Sequence, residues 1–179
     1  MKKSILLLAS ILIFLAASCG DDDEKLTTDQ LPPATMIGAN TFGCKVNGEV
    51  WIPHVEGAPF WESPIYAKHD RWWPDCDQLF ISATRKFHNQ ADISQEITLN
   101  VWCPKIGENN LTPSKGSYRD LRNCGYYNID TLSPYTMNIT KLDTINNIAS
   151  GTFELTVINA DCNDTVRITE GRFDVDSSL

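Results

Sequence analysis

The chain has few of the residues and motifs that enzymes use. Its 179 residues include only three histidines, His54, His69 and His88, which are far apart in the sequence. It has no G-x-S-x-G, S-x-x-K or H-E-x-x-H motif and no phosphate-binding glycine loop. We therefore predict no catalytic residue, no metal and no cofactor. The pair His69–Asp70, beside two further aspartates, is the one candidate for a metal or a base, and we interpret it as a solvent-exposed loop.

Positive charge is also scarce. The chain has 15 lysines and arginines against 23 aspartates and glutamates, a formal net charge of −8. The basic residues form no patch or stripe, which a nucleic-acid-binding surface would need. Nucleic acid is therefore not an expected partner.

The long apolar run from Ile5 to Ala17 falls short of the roughly 20 residues that a membrane-spanning helix needs. It follows two lysines and ends in small residues, as secretory signal peptides do. The segment Leu15-Ala16-Ala17-Ser18-Cys19 resembles the lipobox of bacterial lipoproteins. That resemblance implies removal of residues 1–18 and acylation of Cys19, palmitate included, which together anchor the chain stably in a membrane. A plain secreted protein is the alternative.

Residues 19–40 are predicted to be a tether. Four acidic residues at 21–24 repel anionic lipid head groups and so hold the domain off the bilayer. The cluster also resembles the surface-export signal of Bacteroidetes lipoproteins, which implies an outer-membrane address with the domain facing the cell surface. The periplasmic face is the alternative. Pro32 and Pro33 stiffen the end of the tether.

Five cysteines follow Cys19 and are disulfide candidates in an oxidising envelope. The number is odd, so at least one is free or pairs outside the chain, and none has the C-x-x-C spacing of zinc or redox sites. Cys103–Cys124 is the first choice of pair, because a loop can return Cys124 to the end of a strand. Sequence alone leaves the other connectivities open.

The domain at residues 41–179 is predicted to be all-β. Asn47-Gly48 between two apolar runs indicates a hairpin with Phe42, Cys44, Val46 and Trp51 on one face. Strict alternation over 94–103 buries Ile97, Leu99, Val101 and Cys103, and similar alternation over 152–157 and 165–175 is interrupted at Gly171 by a bulge. Residues 54–77 look irregular, and 117–124 fit one helical turn. The pattern favours an antiparallel β-sandwich or partly closed barrel of seven to nine strands.

Both ends of the domain carry further motifs. Residues 31–35 (LPPAT), 41–53 (TFGCKVNGEVWIP) and 150–175 (SGTFELTVIN to VRITEGRFDV) are similar to a family of Bacteroidetes envelope lipoproteins whose domain has no assigned activity. The resemblance implies a β-rich fold and an envelope address. It transfers no catalytic residue.

The segment from His54 to Asp77 concentrates aromatic and acidic residues. Aromatic rings stack on the apolar faces of sugars while carboxylates accept sugar hydroxyls, so the segment is a candidate ligand surface. The alternative is that its tryptophans cap the core. The candidate surface residues are Trp61, Glu62, Tyr66, Trp72, Trp73 and Asp75.

Three Asp-Thr-aliphatic tripeptides begin at Asp130, Asp143 and Asp164. Each resembles the site of Bacteroidetes O-glycosylation, which makes Thr131, Thr144 and Thr165 candidate acceptors. The alternative is that Asp-Thr only begins strands.

The hypothesis that these observations favour is a non-catalytic binding module, anchored in the membrane through Cys19, with a glycan or an envelope protein as partner. A structural or assembly lipoprotein of an envelope complex is the alternative. A hydrolase using a carboxylate pair is less favoured.

Overall fold

The computed structural model describes residues 30–57, 63–73, 76–87, 94–109 and 116–178, with the backbone alone described at 71–73. These residues form twelve β-strands and no helix, so the predicted all-β fold is confirmed. The strands are β1 Thr41–Val46, β2 Glu49–Trp51, β3 His54–Val55, β4 Ile65–Trp73, β5 Cys76–Lys86, β6 Ser94–Trp102, β7 Gly107–Asn109, β8 Gly116–Asp120, β9 Gly125–Ile129, β10 Thr136–Asp143, β11 Ile148–Asn159 and β12 Asp164–Asp176. Across the described ranges, no helix has the length and apolarity to cross a bilayer.

Nine strands form one hydrogen-bonded path in the order β2-β1-β12-β11-β9-β8-β6-β5-β3. Neighbours are antiparallel except β3, which runs parallel to the end of β5. Off this path, β4 pairs with β5, and β10 pairs with β11 and β7. The sheet curls into a half-barrel. The carbonyl of Ser177 accepts a hydrogen bond from the amide of His69 at 3.2 Å, which joins the end of the chain to β4.

The predicted hairpin forms β1 and β2. Asn47 and Gly48 have φ angles of 51° and 88°, the positive values that a type I′ turn requires. Cys44 lies opposite Trp51 in the register, and the Trp51 ring packs edge-on against Phe42 with centroids 6.1 Å apart. These three side chains are buried and Val46 is partly buried against the same core, so the four residues predicted to share a face do so.

The alternation predicted for β6 and β11 is confirmed. Three inward residues of each strand are fully buried in one core: Ile97, Leu99 and Val101, and Phe153, Leu155 and Val157. Cys103 was predicted to continue this face, but it is exposed beyond the end of β6 with a φ of 50°.

The predicted irregularity at Gly171 is a bulge at Glu170, whose φ is 52°. β12 has one residue more than β11 between the pairs Gly171–Phe153 and Ile168–Leu155. Phe153 packs on Gly171, so a Cβ at Gly171 would lie 2.5 Å from the Phe153 carbonyl oxygen and 2.6 Å from its ring. Glycine here lets the ring cover the backbone of the neighbouring strand.

Two segments differ from the prediction. Residues 54–77 are not irregular throughout, because β3 and all of β4 lie there, with Ile65 and Ala67 buried in the core. Residues 117–124 are not a helical turn. Ser117 and Tyr118 belong to β8, and the Asp120 carboxylate accepts the amide of Arg122 at 3.0 Å in the tight turn that follows. Pairing with β5 and β6 outweighed the local proline and capping signals.

Part of the predicted tether is held on the half-barrel. The buried carboxylate of Asp174 accepts hydrogen bonds from the Thr35 hydroxyl at 2.6 Å and from the amides of residues 37–39 at 2.9–3.2 Å. The hydroxyl of buried Ser150 donates to the same carboxylate at 2.7 Å. Residues 35–39 therefore pack against β11 and β12.

The predicted pair Cys103–Cys124 is wrong. Cys103 is bonded to Cys76 and Cys124 to Cys162, which leaves Cys44 as a free, buried thiol. The amide of Cys103 also donates to the carbonyl of Asp77 at 2.8 Å. The pairing of β5 with β6 therefore brings Cys76 and Cys103 together. That register is a long-range property and could not be deduced from the spacing of the cysteines.

Candidate binding face on the outer side of the sheet

Of the predicted ligand surface, Tyr66 is the residue whose side chain is described. Trp61, Glu62 and Asp75 lie outside the described residues, and Trp72 and Trp73 are described only as backbone of β4. The predicted anchor, Cys19, also lies outside the described residues.

Alternation along β4 separates its residues into two sides. Ile65 and Ala67 point into the core, whereas Tyr66 and Lys68 are exposed and Asp70 is partly exposed. The antiparallel register sets these three outer residues opposite Ser82, Phe80 and Gln78 of β5. Phe80 and Gln78 in turn lie opposite Asn100 and Trp102 of β6. We call this surface the β4–β6 face and define it by Tyr66, Lys68, Asp70, Gln78, Phe80, Ser82 and Asn100.

The aromatic part of the β4–β6 face consists of Tyr66 and Phe80. Their ring centroids lie 6.0 Å apart with the planes at 62°, an edge-to-face arrangement. The Tyr66 side chain is 45% exposed. The two rings, together with Lys68, Asp70 and Gln78, line a shallow groove of about 300 Å³, at the lower end of the range for small-molecule sites.

The polar groups of the face bond mainly to one another. Lys68 Nζ lies 2.6 Å from the Asp70 carboxylate. Gln78 Nε2 donates to Asn100 Oδ1 at 2.8 Å. At the border of the face, the Ser82 hydroxyl donates to Glu96 at 2.6 Å, and Arg119 lies 2.9 Å from the same carboxylate. The face therefore offers fixed hydrogen-bonding groups beside exposed aromatic surface.

Titratable groups inside the half-barrel form a structural network. Trp51 Nε1 donates to Gln95, and Gln95 Nε2 and the Tyr118 hydroxyl both donate to the buried carboxylate of Asp120. Burial, and next the charge of Asp120, raise the pKa of Tyr118. Burial also raises the pKa of the Cys44 thiol. Both groups are therefore neutral at physiological pH, and each sits in the packed core.

The interpretation of His69–Asp70 as a solvent-exposed loop is wrong, because both residues belong to β4 and the His69 side chain is only 10% exposed. His69 points inward from β4, and its Nε2 lies 3.6 Å from Asp77 rather than beside Asp70, which is on the outer face with Lys68. Within the part of the chain that the structure describes, no three His, Cys, Asp or Glu residues are grouped as metal ligands would be.

Comparisons of the chain with protein-family models, with curated proteins and with solved structures give no match.

The three candidate glycosylation sites fall into two structural classes. In the first two, Asp130 and Asp143 accept the amide two residues on, from Leu132 at 3.0 Å and from Ile145 at 3.1 Å. These turns expose the threonine together with the aliphatic residue, which is 95% exposed at Leu132 and 89% at Ile145. Thr165 is exposed on β12. Its neighbours differ, because Val166 is buried and Asp164 accepts a hydrogen bond from the Tyr127 hydroxyl at 2.7 Å.

Sequence reasoning missed Phe80, Gln78 and Asn100 as part of the site. The aromatic-rich pattern ends at residue 77, whereas four of the seven residues of the face come from β5 and β6. The sequence did contain a signal for Asn100. In the alternating strand at 94–102, the residues that face away from the core include Thr98, Asn100 and Trp102.

Proposed function

We propose that this chain is a non-catalytic binding module, anchored through Cys19 in the outer membrane and displayed toward the cell surface, and that the β4–β6 face holds its ligand. The observation that carries the proposal is the ring pair of exposed Tyr66 and partly buried Phe80, set beside the Lys68–Asp70 and Gln78–Asn100 pairs on one rigid sheet. Binding sites on strands hold their groups more rigidly than sites on loops.

The nature of the groups supports binding rather than catalysis. A proton-transfer site needs two titratable groups held in reach of a common substrate. On the β4–β6 face the charged groups Lys68 and Asp70 are satisfied by each other at the surface. The remaining members are two amides, the Ser82 hydroxyl and two aromatic rings, which orient ligands through hydrogen bonds and stacking.

The binding part of the proposal is tested with the mature protein, purified in detergent, on an array of immobilised glycans. Tyr66→Ala removes a stacking ring worth about 1.4 kcal/mol and is expected to weaken binding about tenfold. Tyr126→Ala is the matched control, because Tyr126 is also exposed but lies on β9, beyond the face. Binding that weakens equally in both variants, or in neither, would contradict the proposal.

The lipid anchor and the location are tested separately. In cells fed an alkyne-tagged fatty acid, the label is expected on the wild-type protein and not on Cys19→Ala. Protease added to unbroken cells is expected to degrade the domain. Full protection until lysis would place the domain in the periplasm and favour the alternative, an assembly lipoprotein that copurifies with a fixed envelope partner.

A further inference from the structure

We infer that the ligand of the β4–β6 face is an uncharged oligosaccharide. This inference rests on the proposed binding function and specifies its ligand class. The juxtaposition that carries it is an aromatic pair with one exposed ring, beside an amide pair, on a face whose charges neutralise each other.

The charges of the face are already paired. Lys68 and Asp70, two positions apart on the outer side of β4, are joined at 2.6 Å, and Arg119 at the border is joined to Glu96 at 2.9 Å. Among the described side chains, the ion pairs of the face and its border thus have two cations and two anions, while the whole chain has a net charge of −8. An acidic ligand would be repelled by the chain and would meet no unpaired cation on the face. A basic ligand would find more attraction elsewhere on the chain than on this neutral surface.

The amide pair supplies what a neutral polyol needs. Gln78 Nε2 donates to Asn100 Oδ1, which fixes the orientation of both side chains. Gln78 Oε1 and Asn100 Nδ2 then remain as one acceptor and one donor on neighbouring strands. Neighbouring hydroxyls of a sugar ring can donate to the first and accept from the second.

The aromatic pair supplies the apolar contact. The half-exposed Tyr66 ring and the partly buried Phe80 ring border the groove of about 300 Å³ that also contains Gln78. From Tyr66 to Asp70 the strand contains five residues, and the four steps between them span about 13 Å. That length suits a short run of sugar rings lying along β4, with the apolar face of one ring on Tyr66 and its hydroxyls toward the amides.

The experiment uses neutral glucans, mannans, galactans and xylans, each beside a sulfated derivative of the same backbone, with the mature full-length protein. We expect retention on at least one neutral polymer and at least tenfold weaker retention on its sulfated form. Retention on the neutral polymer should be unchanged between about 50 and 500 mM salt, because no charge pair forms with the ligand.

Three variants locate the effect. Gln78→Ala is expected to reduce neutral binding at least fivefold, whereas Asn128→Ala, an exposed asparagine on β9, leaves it unchanged. Asp70→Asn releases Lys68 and is expected to create weak, salt-sensitive retention on the sulfated polymers.

The outcomes separate the inference from the function on which it rests. Stronger retention on a sulfated polymer, lost in Tyr66→Ala, would overturn the uncharged ligand class and keep the binding face. Retention on none of the polymers would overturn the saccharide ligand. Equal retention of Tyr66→Ala and wild type on every polymer that binds would overturn the face itself.

Discussion

Replacing Asp174 with asparagine is expected to release the N-terminal segment from the half-barrel and to destabilise the domain. The Asp174 side chain is 1% exposed and accepts hydrogen bonds from Thr35, from Ser150 and from the amides of residues 37–39. Burial alone would raise the pKa of Asp174, but the hydrogen bonds, those of Thr35 and Ser150 first, outweigh it and lower the pKa to about 2. The folded state thus holds the carboxylate in its ionised form.

The magnitude follows from that pKa. A fall from 3.8 to about 2 corresponds to about 2 kcal/mol of stability. Because the folded pKa is the lower one, this stability is fully present above about pH 4 and is lost as the pH falls toward 2. Asparagine keeps the shape but replaces one acceptor oxygen with a donor. We expect Asp174→Asn to lower the free energy of unfolding by about 2 to 3 kcal/mol. The loss is not larger because residues 35–39, once released, can form hydrogen bonds with water.

The assay is urea unfolding of the mature protein at pH 7 and at steps down to pH 2, together with hydrogen exchange of the amides at 37–39. Asp176→Asn is the control, because Asp176 is on the same strand but bonds only to neighbouring Ser178. Asp174→Asn should unfold at a lower urea concentration than wild type at pH 7, and its stability should depend less on pH below pH 4. The amides of residues 37–39 should also exchange their hydrogens faster than in the wild type. Wild-type stability with intact protection would refute the role assigned to Asp174.

Three further predictions concern other parts of the chain. Gly171→Ala should destabilise the domain by about 1 to 3 kcal/mol in urea unfolding, because the added Cβ would lie 2.5 Å from a carbonyl oxygen of β11; an unchanged midpoint would contradict that contact. Cys44 should resist maleimide in the folded protein and react once urea unfolds it, since its thiol is buried and its pKa is raised, and rapid labelling of the folded state would be inconsistent with this burial. Peptide masses of the native protein should show glycan on Thr131 and Thr144 and none on Thr165, whose aliphatic neighbour is buried. Unmodified Thr131 and Thr144 would contradict the hypothesis that these turns are O-glycosylated.

Local signals in the sequence were sufficient for the short-range parts of the fold. Asn47-Gly48 specified the first hairpin because both residues accept positive φ. The strict alternation of residues 94–102 specified which side of β6 is buried, and Gly171 marked the bulge of β12. Each of these features depends on neighbours within a few residues.

The features that the sequence did not reveal depend on long-range pairing. Cys76 meets Cys103 because β5 pairs with β6 in one register, and Asp174 binds residues more than 130 positions away. The candidate site shows the same division. Tyr66 was found because it lies in an aromatic-rich segment, whereas Phe80 and Asn100 join it only through the pairing of three strands.

The most direct test of the central claim is photo-cross-linking in living cells. A photoreactive phenylalanine derivative placed at position 66 is compared with the same derivative at position 126, an exposed site on β9. If the β4–β6 face binds a ligand, light should produce an adduct at position 66 and little at position 126, and saccharide-specific staining of the adduct would identify a glycan. No adduct at position 66 above the level at position 126 would contradict the assignment of this face as the binding site.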